Sequence, residues 1–187
     1  MLLGAELITS FDDAHARARF CKSEYDNCRL AELQATNWAF AITRAGLAAS
    51  ATAPAWGFTY AYPYPVDCVR MVQVADYFVG LSLTNYRTTD EVEYALEKRN
   101  ILTNIAAPLN IRYVANVADA SQFAPLFVDA VAHRLAWTIA KAVTQSDSLV
   151  ASLRTDYAIV IREAISANAV EKPPVNMPDD SWIISRL

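Results

Sequence analysis

Pro125-Leu-Phe-Val-Asp-Ala-Val-Ala-His-Arg-Leu-Ala-Trp-Thr-Ile-Ala-Lys-Ala-Val-Thr144 is the stretch on which the architecture turns. Proline stands where a first helical turn tolerates it, and the run after it is apolar nearly all round, interrupted only by Asp129, His133, Arg134 and Lys141. It predicts a buried core helix. Alanines at 130, 132, 136, 140 and 142 keep its surface low, so a second helix can approach closely. Ser146-Asp-Ser148 then supplies a break and a fresh N-cap, and Val150, Leu153, Tyr157, Val160, Ile161 and Ala164 continue a helical stripe to about Val170. Residues 123–170 therefore read as a helical hairpin. Beyond it Pro173, Pro174 and Pro178 stop any helix, and 171–187 reads as an extended C-terminal arm ending in Trp182-Ile-Ile-Ser-Arg-Leu187.

Upstream, Ser10 and Asp13 stand at capping-box spacing ahead of Ala14, Ala18, Cys21, Tyr25, Cys28 and Ala35. The stripe, broken by Glu32, predicts one long amphipathic helix over 11–36. The central region, about 38–117, has the two-residue period of strands. Trp38-Ala-Phe-Ala-Ile-Thr-Arg44 is compatible with a strand or with more helix, and its alternating large side chains favour the strand. Small residues from Ala45 to Pro54 mark a loop. Trp56, Phe58, Tyr60, Tyr62 and Tyr64 then alternate with small residues and form the clearest strand signal, which Pro63 and Pro65 either end or confine to a sheet edge. Val69 to Val74 is a further strand. Val92, Tyr94 and Leu96 alternate with Glu91, Glu93 and Glu97, and Leu109, Ile111, Tyr113, Ala115 and Val117 alternate with polar residues, so both read as half-buried antiparallel strands. The expected fold is α+β: a bundle of about three long helices joined to a central antiparallel sheet region, in one domain over 1–170 with the arm following.

Composition narrows the chemistry. At 187 residues, 54% hydrophobic and 19% charged, the chain can bury a sizeable core in one domain. A net charge of −4 with both signs scattered offers no basic footprint for a nucleic-acid backbone. The four glycines, Gly4, Gly46, Gly57 and Gly80, are too dispersed for a phosphate-cradling loop. The opening MLLGAELITSF lacks a basic start and meets Glu6 early, so it reads as mature protein, and no apolar run approaches the roughly 20 residues of a membrane span. A soluble protein is expected.

No reactive constellation stands out. Cys21, Cys28 and Cys68 are odd in number, and Cys21 and Cys28 on one helix would lie roughly 10 Å apart, out of disulfide reach, so buried thiols are the simplest reading. His15 and His133 have no local partners at metal or triad spacing. His133 reads as a satisfied core or interface histidine, and Glu91, Glu93 and Glu97 as a solvated acidic face. No catalytic residue, cofactor site or metal site is expected. Two features do ask for a partner. Trp182, Ile183 and Ile184 are costly to leave in water and suit an anchor that fills a pocket. The aromatic run, with Trp56, Tyr60 and Tyr62 at its centre, suits a core or a subunit interface; the alternative is a single-stranded nucleic-acid platform, disfavoured by the absence of Lys and Arg between Arg44 and Arg70.

Several blocks, taken in order, carry a family resemblance. They are Trp38-Ala-Phe-Ala-Ile-Thr-Arg44, Tyr60-Ala-Tyr-Pro-Tyr-Pro-Val-Asp-Cys-Val-Arg70, Ile101-Leu-Thr-Asn104 with Leu109-Asn-Ile-Arg-Tyr113, and Phe123-Ala-Pro-Leu-Phe127 leading into His133-Arg-Leu-Ala136 and Thr144-Gln-Ser146. From about Asp12 to Val170 the chain resembles the head-tail adaptor (tail tubular protein A) family of short-tailed bacteriophages. The resemblance implies a virion structural protein of the neck and tail, assembled in the host cytoplasm and not an enzyme. It implies a homo-oligomeric ring, twelve-fold in relatives, bound to the portal protein above and the tail nozzle (tail tubular protein B) below, with DNA passing through the lumen. It also implies that the C-terminal segment reaches toward the portal, which would give Trp182 its pocket.

Overall fold

The computed structural model describes residues 2–3, 8–75, 77–78 and 94–171. Among the described residues three α-helices accompany two antiparallel sheets, so the fold is α+β. Helix α1 spans Ala16–Ala35, α2 Pro125–Thr144 and α3 Asp147–Val170. Strands β1 (Ile42–Leu47), β3 (Cys68–Val74), β4 (Tyr77–Phe78) and β7 (Leu109–Ala115) form a four-stranded sheet in the order β1-β7-β3-β4. Strands β2 (Tyr60–Pro63), β5 (Tyr94–Glu97) and β6 (Asn100–Thr103) form a three-stranded sheet in the order β2-β6-β5.

Alternation along β7 sets the layering. Leu109, Ile111 and Tyr113 point one way, into a cluster shared with Tyr62 and Ile101 of the small sheet and Met71 and Val74 of β3. Val114 points the other way, joining Val72, Leu33, Trp38, Phe127 and Val131. The large sheet thus lies between the small sheet and the helices. A third cluster, Ala136, Ala140 and Leu153 with Leu3 and Leu149 against it, closes the far end of the α2–α3 hairpin.

The hairpin lies where the sequence puts it. Pro125 opens α2, Gln145 ends it in the left-handed region with its N–H on the Lys141 carbonyl, and the Ser146 hydroxyl accepts from the Leu149 N–H at 3.3 Å to cap α3. One expectation needs correcting. Helix α2 is buried on one face only: Ala130, Ala136 and Ala140 are covered, while Ala132, Ala142 and Val128, the last 46% exposed, are not.

Helix α1 starts five residues after the predicted position 11. Asp13 Oδ2 accepts from the backbone N–H groups of Thr9 (2.8 Å) and Ser10 (3.1 Å), and Ser10 Oγ accepts from Asp12 N–H (3.1 Å). These short-range bonds satisfy the backbone in a turn and so compete with helix there. The helix begins at Ala16 behind His15, which makes no side-chain cap.

The Trp38–Arg44 strand is displaced. Ala39–Ala41 is a single 3₁₀ turn, and β1 begins only at Ile42, running on to Leu47 through residues expected in a loop. Packing explains the shift: Trp38 and Phe40 do not point to opposite faces but both lie against Phe127, with ring centroids at 5.1 and 5.0 Å. The indole N–H of Trp38 also donates to the Glu32 carbonyl at 2.6 Å.

The aromatic run is shorter as a strand than its alternation suggests. Only Tyr60–Pro63 pairs, with Asn100–Thr103, because Gly57 at φ +84 turns the chain between Trp56 and Phe58. The edge position expected for Pro63 holds, since β2 is the outer strand of its sheet. Strand β6 was not foreseen. It joins β5 through Lys98-Arg99, both at positive φ (47 and 61), the geometry of a two-residue hairpin turn without the usual Asn or Gly. Glu91, Val92 and Glu93 lie outside the described residues.

Candidate docking surfaces

Of the residues expected to dock partners, Trp182, Ile183 and Ile184 lie outside the described residues. Trp56 is 86% exposed. Tyr62 is a correction: it is 0% exposed, and its hydroxyl donates to the Ile105 carbonyl at 2.7 Å. Tyr60 is half-buried beside it, ring centroids 6.4 Å apart, and packs against the same inter-sheet cluster. The two-residue period that made the run look like a binding stripe turns Tyr60, Tyr62 and Tyr64 inward, leaving Trp56 as its solvent-facing member. Trp56 borders a hollow of about 530 Å³ that Phe58 and Lys98 also line.

A second hollow, about 720 Å³ and open to solvent, runs between α1 and residues 64–69. Leu30, Ala31, Val66 and Val69 give it an apolar lining, and the carboxamides of Asn27, Gln34 and Asn116 add polar groups. Arg99 and Asp67 line it too. The Arg99 guanidinium lies over the Tyr64 ring at 5.6 Å and donates through Nη2 to the Cys68 carbonyl at 3.1 Å, while Asp67 accepts from the Tyr113 hydroxyl at 3.1 Å. Val66, fully in solvent at 101% exposure, stands at its edge.

The helices leave a third surface. Steps of three and four along α3 lead through Ala151, Thr155, Ala158, Arg162, Ile165 and Ala169, all exposed, with Ile159 (53% exposed) next to them. The opposite side of α3 buries Leu153, Ala164 and Asn168. Phe20 on α1 and Leu126 on α2 are further large apolar side chains left partly in water.

Titratable groups inside the fold are committed to one another. Glu32, fully buried on α1, holds Arg134 of α2 at 3.1 Å and the Tyr157 hydroxyl of α3 at 2.7 Å, tying all three helices at one point. Burial first, and then the bond to Glu32, push the Tyr157 hydroxyl up to about 12. For Arg134 burial pulls down, but Glu32 outweighs it and the net direction is upward. Arg29, also buried, donates to Asn116 Oδ1 and the Val117 carbonyl, both at 2.6 Å. In the sequence Glu32 stands as a break in the apolar stripe of α1. The available signal was that interruption itself: a carboxylate on the apolar stripe of α1, and an arginine inside apolar α2, each needing the other.

His133 is satisfied as expected, its Nδ1–H donating to the Asp129 carbonyl at 2.8 Å. Cys21, Cys28 and Cys68 are free thiols; Cys21 is half-buried and the other two buried. Burial pushes all three up, Cys68 to about 11 against the opposing pull of Arg99. A group so shifted stays protonated at neutral pH and is a poor nucleophile. Among the described residues no group of three or more His, Cys, Asp or Glu side chains is placed to hold a metal ion, and no helix is long and apolar enough to cross a membrane. No protein-family model matches the chain, and no curated protein matches it.

Proposed function

We propose that this chain is a structural assembly subunit: the head-tail connector of a short-tailed bacteriophage virion, packed side by side into a homo-oligomeric ring between portal and tail nozzle, with DNA passing through its lumen. The observation that carries the reading is the outer side of α3. Its small residues allow a neighbouring helix to come close, and Ile159 and Ile165 supply apolar area that water leaves uncompensated. A ring needs a heterologous interface of this kind on each subunit, repeated until rotation closes it. The net charge of −4 suits a channel wall along which DNA slides, since adhesion grows with the number of phosphates neutralised.

Native mass measurement of the purified chain, alone and with portal protein, tests this directly. A multi-subunit species is expected with portal present, and Ile159→Asp with Ile165→Asp abolishes it while the far-ultraviolet circular dichroism stays unchanged. A chain that remains a single copy with portal and nozzle both present overturns the reading. Trp56 beside Lys98 supports one rival, single-stranded nucleic-acid binding at that hollow. A salt-dependent mobility shift lost in Trp56→Ala would favour it.

A further inference from the structure

The helix-facing side of the large sheet runs on past the helices. Along β7, Val114 is wholly buried, Arg112 half-buried and Asn110 exposed, three side chains on one face in successive rows. Arg44 of β1 stands directly opposite Arg112, so both side chains leave that face, with Cβ atoms about 5 Å apart. On the other flank a bulge in β3 leaves Val72 as an extra residue and brings Gln73 into the row of Arg112. The Arg112 guanidinium donates through Nη1 to Gln73 Oε1 at 3.3 Å, and Gln73 is itself held by its Nε2–H on the Ala75 carbonyl at 2.8 Å. Arg70, opposite Val114 and steadied by Asn37 Oδ1, adds a third guanidinium from the next row. These side chains come from positions 44, 70, 73 and 112, so no short motif announces them.

We propose that Arg44, Arg112 and Gln73 form a binding site for a phosphate dianion, with Arg70 adding positive potential beside it. Charge points there first. Like charges directly opposite on a sheet repel, and among the described residues no carboxylate lies within ion-pair distance of Arg44, Arg70 or Arg112. The Nε–H groups of Arg70 and Arg112 are buried with no acceptor among the described residues, and a partly desolvated cation without a counter-ion is costly. Two opposed guanidiniums are matched by one ligand of charge near −2, which a phosphate carries at neutral pH and a single carboxylate does not. Geometry agrees. Each guanidinium is a planar fork suited to a pair of phosphate oxygens. Gln73 engages one Nη of Arg112 and so fixes the direction in which the remaining donors point. The site goes beyond the assembly reading and does not rest on it, because every residue in it belongs to one chain.

Titration calorimetry of the full chain with inorganic phosphate, at an ionic strength held constant with chloride, tests it. One site per chain is expected, with a millimolar or tighter Kd. Arg44→Gln and Arg112→Gln should each weaken binding about tenfold or more, the usual loss for a charge-assisted contact. Arg154→Gln, on α3 beside Trp137 at the far end of the hairpin, should leave it unchanged. Thermal melting separates a ligand site from a structural role. In chloride alone Arg44→Gln should melt no lower than the unsubstituted chain, since it removes a like-charge neighbour; phosphate should raise the Tm of the unsubstituted chain and leave that of Arg44→Gln where it was. Glycerol phosphate distinguishes the source: binding as tight as that of inorganic phosphate assigns the site to a phosphomonoester, and binding of inorganic phosphate alone assigns it to the free ion. Heat that does not saturate overturns the proposal, as does a phosphate response that survives Arg44→Gln with Arg112→Gln. So does acetate, or an oligonucleotide without a terminal phosphate, binding as tightly as phosphate, since either removes the preference for a dianion. None of these outcomes depends on whether the chain forms a ring with portal.

Discussion

The helix-facing and sheet-facing sides of the large sheet are both well packed, yet they are specified by different means. Between the sheets, strand ladders align the backbones and the polar atoms inside are neutral hydroxyls, such as Tyr62 on the Ile105 carbonyl. Among the helices each backbone satisfies itself, so nothing in the main chain says how α1, α2 and α3 should meet. The Glu32–Arg134–Tyr157 cluster supplies that instruction with buried charge. The difference teaches that polar loss should be far more damaging on the helical side.

The largest expected effect comes from Glu32→Ala, which removes the buried carboxylate that both Arg134 and the Tyr157 hydroxyl hold. Urea unfolding should show a loss of about 3–5 kcal/mol, the usual cost of removing one partner from a buried pair. The companion double change, Glu32→Leu with Arg134→Leu, should recover most of that loss, because an apolar replacement of both charges leaves neither unpaired. If the double variant is as unstable as the single one, the cluster orients the helices by more than charge compensation. On the sheet side, Tyr62→Phe removes one neutral hydrogen bond at the same depth and should cost only about 1 kcal/mol.

Alkaline titration sharpens the contrast. Tyr157 holds its proton more tightly folded (about 12) than unfolded (about 10), so its share of stability is complete below pH 10 and is lost as pH rises toward 12. Unfolding free energy should fall across that window, and Tyr157→Phe should remove that part of the fall. The smallest effect has the opposite sign. Arg44 and Arg112 face each other directly on β1 and β7, a like-charge pair in which Arg112 also donates to Gln73 Oε1 at 3.3 Å. Arg44→Glu should stabilise by roughly 0.2–1 kcal/mol, an opposite-charge pair replacing a repulsive one.

How far these features could be read in advance depended on whether the deciding forces were local. The positions of helices α2 and α3 were legible to within a residue or two, because proline, the serine cap and the apolar period all act within a few positions. The start of α1 was misjudged because two local motifs, a turn and a capping box, share the same letters Ser10 and Asp13. Trp38 and Phe40 misled because Phe127, far along the chain, recruits both. The docking stripe was half legible: period two correctly put Tyr60 and Tyr62 on one face, but nothing local says which face a second sheet will cover. Lys98-Arg99 gave no hairpin signal, since neither residue type favours the positive φ that both adopt.

Asn168 has a mechanical meaning. Helix ends commonly fray because their last carbonyls have no partner, but here a side chain one turn inside the terminus grips both sides of the link between α1 and β1. Tension applied to the residues after Glu171 would be delivered through that grip to β1, across its pairing with β7, and so into the sheet as a whole. The end of α3 is thereby pinned at two points to the link between α1 and β1.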